Sequence, residues 1–255
     1  MESSGRIAVL VHLALATATA SVYALVLPPR PARLAAYRGP IGALGGWAYW
    51  VTRPVLRAAR VLHLTPDVLT GIGLGLNVAA GVLVGLGAFG WAWVSLLWGS
   101  AADLLDGELA RCTGTSSRAG AFLDSSLDRM SEIALLAGLG FVLHPQRVGV
   151  ACVIAALGAS FMVSYAKARG EGLGVACPTF GLERPHRLLV FIVAMLLATF
   201  LPRAAGEELL TYTCALVALS AGLTALGRMV IIHQLLRREG EPSRDWHGTP
   251  PGTMP

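Results

Sequence analysis

At 255 residues, with 55% hydrophobic side chains and only 14% charged ones, the chain has a mean hydropathy of +0.63, too apolar for a soluble domain of this size. It reads as an integral membrane protein, and its thirty glycines and six tryptophans suit close-packed membrane helices with interfacial aromatics better than the alternating strands of a β-barrel. The net charge of +5 does not imply nucleic acid as a partner, because the Lys and Arg residues are spread through loops, where they act as topology signals and contacts to anionic lipid. Cys112, Cys152, Cys177 and Cys214 have no metal or disulfide spacing and mostly sit in apolar runs, so they read as packing residues.

In chain order, residues 1–28 form an N-terminal transmembrane anchor, an apolar run that follows Arg6 and ends at Pro28-Pro29. The stretch Ala18 to Ala24 resembles a signal-peptide cleavage site, but Arg30, Arg33 and Arg38 follow it and resist export, so a retained anchor is expected. Residues 29–60, with six arginines among Trp47, Tyr49 and Trp50, read as a juxtamembrane, partly amphipathic segment lying at the interface. The body of the protein, residues 61–238, carries six apolar segments near 66–88, 90–112, 118–142, 147–169, 185–202 and 208–235. Residues 239–255 form a polar, Pro- and Gly-rich tail, expected to be disordered and cytoplasmic. The fold class is thus an all-α, polytopic membrane helix bundle: six core spans plus the anchor helix and the juxtamembrane segment. Placing residues 29–60 on the cytoplasmic side of the cell membrane leaves only Arg6, Arg147 and Arg203 on the other side among all Lys and Arg residues.

One stretch breaks the apolar pattern. Asp103 and Asp106 are three residues apart on the second core segment, and Asp124 and Asp128 four apart on the third, so each pair shares a helical face. On the expected topology both pairs lie just below the cytoplasmic surface. Four carboxylates that close cannot all remain ionised without cations, which points to hard divalent metals with oxygen ligands. The plainer reading, acids capping helix ends or paired with Arg111, Arg118 and Arg129, is disfavoured because charge within spans is costly and usually functional. Gly107, Ala110 and Gly120 keep the same faces open, and Arg111 stands where an anion would be held.

The complete string D-x-x-D-G-x-x-A-R-x8-G-x-x-x-D-x-x-x-D over residues 103–128 resembles the signature of the CDP-alcohol phosphatidyltransferase family. The resemblance implies a reaction in which an alcohol attacks the lipid-linked phosphate of a CDP-lipid such as CDP-diacylglycerol, and CMP leaves. It implies that Asp103, Asp106, Asp124 and Asp128 ligate two ions, Mg2+ or Mn2+, with Asp128 also taking the hydroxyl proton. Gly107, Arg111 and Ser117 would hold the cytidine diphosphate. Asp67 and Thr70, in a segment that reads as a helix start with Pro66 in its first turn, would join them. The family resemblance also implies a homodimer.

The acceptor is signalled by Ser164-Tyr165-Ala-Lys167-Ala-Arg169 and Glu183-Arg184-Pro185-His186-Arg187. These strings look like those of bacterial phosphatidylinositol phosphate synthases, a branch of that family, and imply that Lys167, Arg187 and Arg228 hold the phosphate of inositol phosphate. His186 departs from the acidic residue often found there, and the anchor is extra. Glycerol phosphate is the rival acceptor, which the same cations would suit. A membrane cation transporter is the alternative from another class, but it would place its acids near the midplane on broken helices.

Overall fold

In the computed structural model, residues 2–26, 39–176, 181 and 183–240 are described, and among them every regular element is helical. The helices are α1 (Glu2–Val26), α2 (Gly39–Val61), α3 (Pro66–Gly85), α4 (Phe89–Thr113), α5 (Arg118–Val142), α6 (Arg147–Gly172), α7 (Arg184–Phe200) and α8 (Arg203–Gly240). Pro28-Pro29, the basic stretch 29–38, Cys177 and the tail from residue 241 lie outside the described residues.

Among the described residues, four helices are long and apolar enough to cross a membrane: α1, α3, α6 and the Arg203–Arg237 part of α8. α4 and α5 carry the acidic string, and α7 has only 17 residues. α8 starts at Arg203, five residues before the apolar segment expected at 208–235, where Arg203 pairs with Glu207 one turn on. Its 38 residues extend for about 57 Å, well beyond the roughly 30 Å hydrocarbon layer.

The helix bounds follow local chemistry. Thr65 caps α3, its hydroxyl accepting from the Val68 amide, and Pro66 takes the first-turn position where a missing N–H costs nothing. α4 stops at Gly114, a left-handed cap with φ 68°. Only four residues, 114–117, separate α4 from α5, so the two acidic helix segments follow one another closely.

α3 packs along both α4 and α5, α6 along α8, and α7 bridges α4 and α8. Leu96, Leu136, Leu139, Phe191, Met195, Leu210 and Cys214 fill the shared core. α3 and α5 touch backbone to backbone at Gly81 and Gly138, where a Cβ on Gly138 would collide with the Gly81 carbonyl and one on Gly81 with the Ala134 carbonyl. Small residues at such a crossing are what membrane helices need for van der Waals contact. Gly138→Leu is therefore expected to lower unfolding stability in detergent by about 1–3 kcal/mol or more, since the backbones have to part. An unchanged thermal or denaturant midpoint would show that the crossing is not needed.

α1 lies against α4 and α7. Its contacts are polar as well as apolar: Arg6 Nε donates to the Thr199 carbonyl at 3.0 Å, and Trp98 Nε1 donates to His12 Nε2 at 3.0 Å. α2 sets Leu56 and Ala59 onto Leu69, Leu105 and Leu109, behind the acidic string.

Candidate active site

Three helix ends meet at the acids. The first turn of α3 brings Asp67 and Thr70, the last turns of α4 bring Asp103, Asp106, Gly107 and Arg111, and the start of α5 brings Ser117, Gly120, Asp124 and Asp128. A cleft of about 420 Å³ opens between them, lined by Asp67, Thr70, Asp106, Gly107, Arg111, Ser117 and Asp124 among others. All five residues expected to hold the nucleotide thus share one cavity with two of the four acids. Within it Ser117 caps α5, its Oγ accepting from the Gly120 amide at 3.0 Å, which leaves its hydroxyl proton to donate. Arg111 rests on Glu108 at 3.1 Å with its side chain 56% exposed, a loose tether from which it can turn to an anion.

The four acids differ in surroundings. Asp106 is 4% exposed, and its Oδ2 has no hydrogen-bond partner among the described residues. Asp103 fits beneath α3 only because Gly73 has no side chain, a Cβ there falling 2.7 Å from Asp103 Oδ1. Asp103 and Asp128 share a partner, the guanidinium of Arg184 at the start of α7, with Nη2 3.1 Å from Asp103 Oδ2 and Nη1 on Asp128 Oδ1. Asp124 lies within electrostatic reach of Asp103, Asp106 and Asp128.

The donor set fits a hard cation. It is all carboxylate, half-buried, and it contains a buried oxygen that nothing among the described residues satisfies, a group costly to leave unpaired. As the side chains stand, no three acids, histidines or cysteines among the described residues converge at ligating distance. Arg184 occupies the space between Asp103 and Asp128, so ions that used both would displace it.

The expected acceptor cations are placed differently from one another. Lys167 is exposed at the end of α6, 4.0 Å from Glu171. Arg187 is 1% exposed and forked onto Glu132, and Arg228 is 2% exposed, paired with Glu183 and donating to the Val163 carbonyl at 3.0 Å. Arg184 and Glu132 were not singled out from the sequence, although both had a signal. Glu132 continues the four-residue spacing of Asp124 and Asp128, and Arg184 opens the same short string as Arg187.

A bundle of membrane helices that gathers four aspartates, small glycine faces and an arginine bridge at one end defines a membrane-embedded enzyme of phosphoryl chemistry. Comparison with known proteins gives the family: the sequence signature of the CDP-alcohol phosphatidyltransferases matches residues 63–233, and the chain belongs to that family. It is 36% identical over 148 residues to a phosphatidylinositol phosphate synthase of Mycolicibacterium smegmatis, a match spanning 56% of this chain and 66% of that relative, just under two thirds of its length. A crystal structure of the Mycobacterium tuberculosis phosphatidylinositol phosphate synthase with CDP-DAG bound superposes with a TM-score of 0.65 at 29% identity, covering 71% of this chain and 93% of that one. The same enzyme in complex with manganese and citrate gives a TM-score of 0.65 and 88% coverage of that chain.

Proposed function

We propose that this protein transfers a phosphatidyl group from a CDP-lipid, CDP-diacylglycerol, to a phosphorylated alcohol, inositol phosphate, at the cytoplasmic face of the cell membrane. The observation that carries the reading is the cleft between α3, α4 and α5, which joins a nucleotide-sized cavity to Asp106 and Asp124. The depth expected from the sequence suits the substrate, because a lipid with a nucleotide head has to place its diphosphate at the membrane boundary. That a relative binds CDP-DAG and that it forms a manganese complex support both substrate and ion.

Asp103, Asp106, Asp124 and Asp128 would hold the divalent cations, two Mg2+ or Mn2+. When bound, such ions neutralise the diphosphate and stabilise charge on the attacking and leaving oxygens. Asp67, Thr70, Gly107, Arg111 and Ser117 bind and orient the cytidine diphosphate. The alcohol oxygen bonds to the phosphorus that carries the lipid, the bond from that phosphorus to CMP breaks, and the hydroxyl proton passes to Asp128. Asp128 suits the role of base because it lies outside the residues lining the nucleotide cleft and faces α7, the helix that carries Arg184 and Arg187. Lys167, Arg187 and Arg228, joined by Arg184, supply the positive wall that draws the acceptor's phosphate.

The test is an acceptor panel with purified protein and CDP-diacylglycerol, reading CMP. Inositol phosphate is expected to react efficiently, and free inositol or serine at least about 10-fold less so, the loss that one missing charge-assisted contact produces. Equal use of phosphorylated and free inositol would remove the anion pocket. Preference for glycerol phosphate would keep the pocket and reassign the acceptor, the second reading that the same cations permit.

A further inference from the structure

α5 and α7 touch little along their backbones, yet two stacked ion pairs join them. α5 presents Asp124, Asp128 and Glu132 at four-residue spacing on one face, and α7 presents Arg184 and Arg187 in its first turn. The outer rung is Arg184 on Asp128 and Asp103, with the Arg184 and Asp128 side chains each 18% exposed. One turn deeper, Arg187 Nε lies 3.2 Å from Glu132 Oε1, and its Nη2 lies 3.1 Å from Oε1 and 3.4 Å from Oε2. This inner rung is closed, its side chains 1% and 8% exposed.

We propose that Glu132 is a positioning residue for the acceptor side of the reaction: it fixes Arg187 and, through the first turn of α7, holds Arg184 beside the acid pair. The proposal rests on the transfer reaction described above. A buried ion pair is a poor source of stability, since its desolvation offsets most of its attraction and an apolar pair of similar volume often serves as well. What the forked contact does supply is direction, because a planar guanidinium gripped through two nitrogens loses its freedom to turn.

The surroundings favour this role. α7 begins without a side-chain cap on its amides, so its first turn is held by side chains from neighbouring helices instead. Glu183, immediately before Arg184, is bound by Arg228 of α8, which is itself anchored to the Val163 carbonyl of α6. Glu132 holds the other side of the same turn. It is backed by Ser131, which accepts from Asn77 Nδ2 of α3 at 3.4 Å, and a cavity of about 20 Å³, enough for one water, lies between Asn77, Ser131, Glu132 and Arg184. Four helices therefore converge to set the angle at which Arg184 meets Asp103 and Asp128.

Glu132→Gln keeps the shape and removes the charge, and Glu132→Asp keeps the charge and withdraws it by one methylene. Detergent-solubilised protein without substrates is treated with an arginine-selective dicarbonyl reagent, and Arg184 modification is followed by peptide mass spectrometry. Arg184 is expected to react several times faster in Glu132→Gln than in the wild type, and Glu132→Asp to fall between. In turnover, the KM for the phosphorylated acceptor rises about 10-fold in Glu132→Gln while the KM for CDP-lipid stays unchanged. Arg184 reactivity equal to wild type in both variants overturns the proposal, as does a parallel rise in both KM values, the mark of a general loss of structure. If Glu132→Gln does not fold, Glu132→Asp carries both readouts. A wild type that releases no CMP with any phosphorylated alcohol overturns the transfer reading instead, and the labelling result still decides whether Glu132 positions Arg184.

Discussion

In excess chelator, CMP release from CDP-diacylglycerol and a phosphorylated acceptor is expected to fall by at least about 10³-fold and to return on adding magnesium or manganese. A cation that neutralises a diphosphate contributes several kcal/mol to the transition state, and each 1.4 kcal/mol is a decade in rate. Arg184 cannot substitute. It is a single charge held between Asp103 and Asp128, whereas Asp106, which lines the nucleotide cleft, has a buried oxygen with no hydrogen-bond partner among the described residues. Manganese binding followed by electron paramagnetic resonance gives a readout without turnover: Asp106→Asn should weaken it markedly. Full turnover in chelator, with metal removal verified, would remove the ions from the reaction, and unaltered manganese binding by Asp106→Asn would remove that oxygen from the ligand set.

Asp128→Asn should lower kcat by about 10³-fold, within the range that loss of a general base produces, and more if ion binding also suffers. The nucleotide cleft should be spared, because Asp67, Thr70, Asp106, Gly107, Arg111, Ser117 and Asp124 line it and Asp128 does not. The expected pattern is thus near-normal CDP-lipid binding with almost no turnover. A variant that retains half its kcat would mean that another group accepts the hydroxyl proton. One that loses CDP-lipid binding as well would mean that Asp128 serves the nucleotide side of the site.

The helices were legible because membrane spans announce themselves by length and apolarity, and their ends by proline and glycine. Pro66, Gly114 and Ser117 stand where helices begin, end or restart. The acids were legible for the opposite reason, since charge inside an apolar chain is conspicuous. Harder to read was which cation faces which acid. Arg184 and Arg187 are three residues apart in one string, and the sequence does not say that one reaches Asp103 and Asp128 while the other turns inward to Glu132. That choice depends on the rotation of α7 against α5, which no local pattern encodes. Glu132 continues the spacing of Asp124 and Asp128, but its partner lies on another helix, 55 residues on. The seating of α1 was equally hidden: its apolar run announces a span, whereas its contact with α4 depends on Arg6, His12 and Trp98 finding partners elsewhere in the chain.

The Arg184 bridge also bears on how the protein is made. Arg184 lies 81 positions after Asp103, and Arg187 lies 55 after Glu132. During synthesis the α4–α5 hairpin leaves the ribosome with its carboxylates well before α7 brings their countercharge. An aspartate forced to the centre of a membrane helix costs roughly 2.5–3.5 kcal/mol on insertion scales, so a nascent hairpin bearing four would resist full integration. The aqueous-edge position expected from the sequence would spare the translocon that cost, and the arrival of α7 then brings Arg184 to Asp103 and Asp128. Assembly of the site therefore ends with an electrostatic closure, in which α7 supplies the countercharge to acids already delivered by α4 and α5.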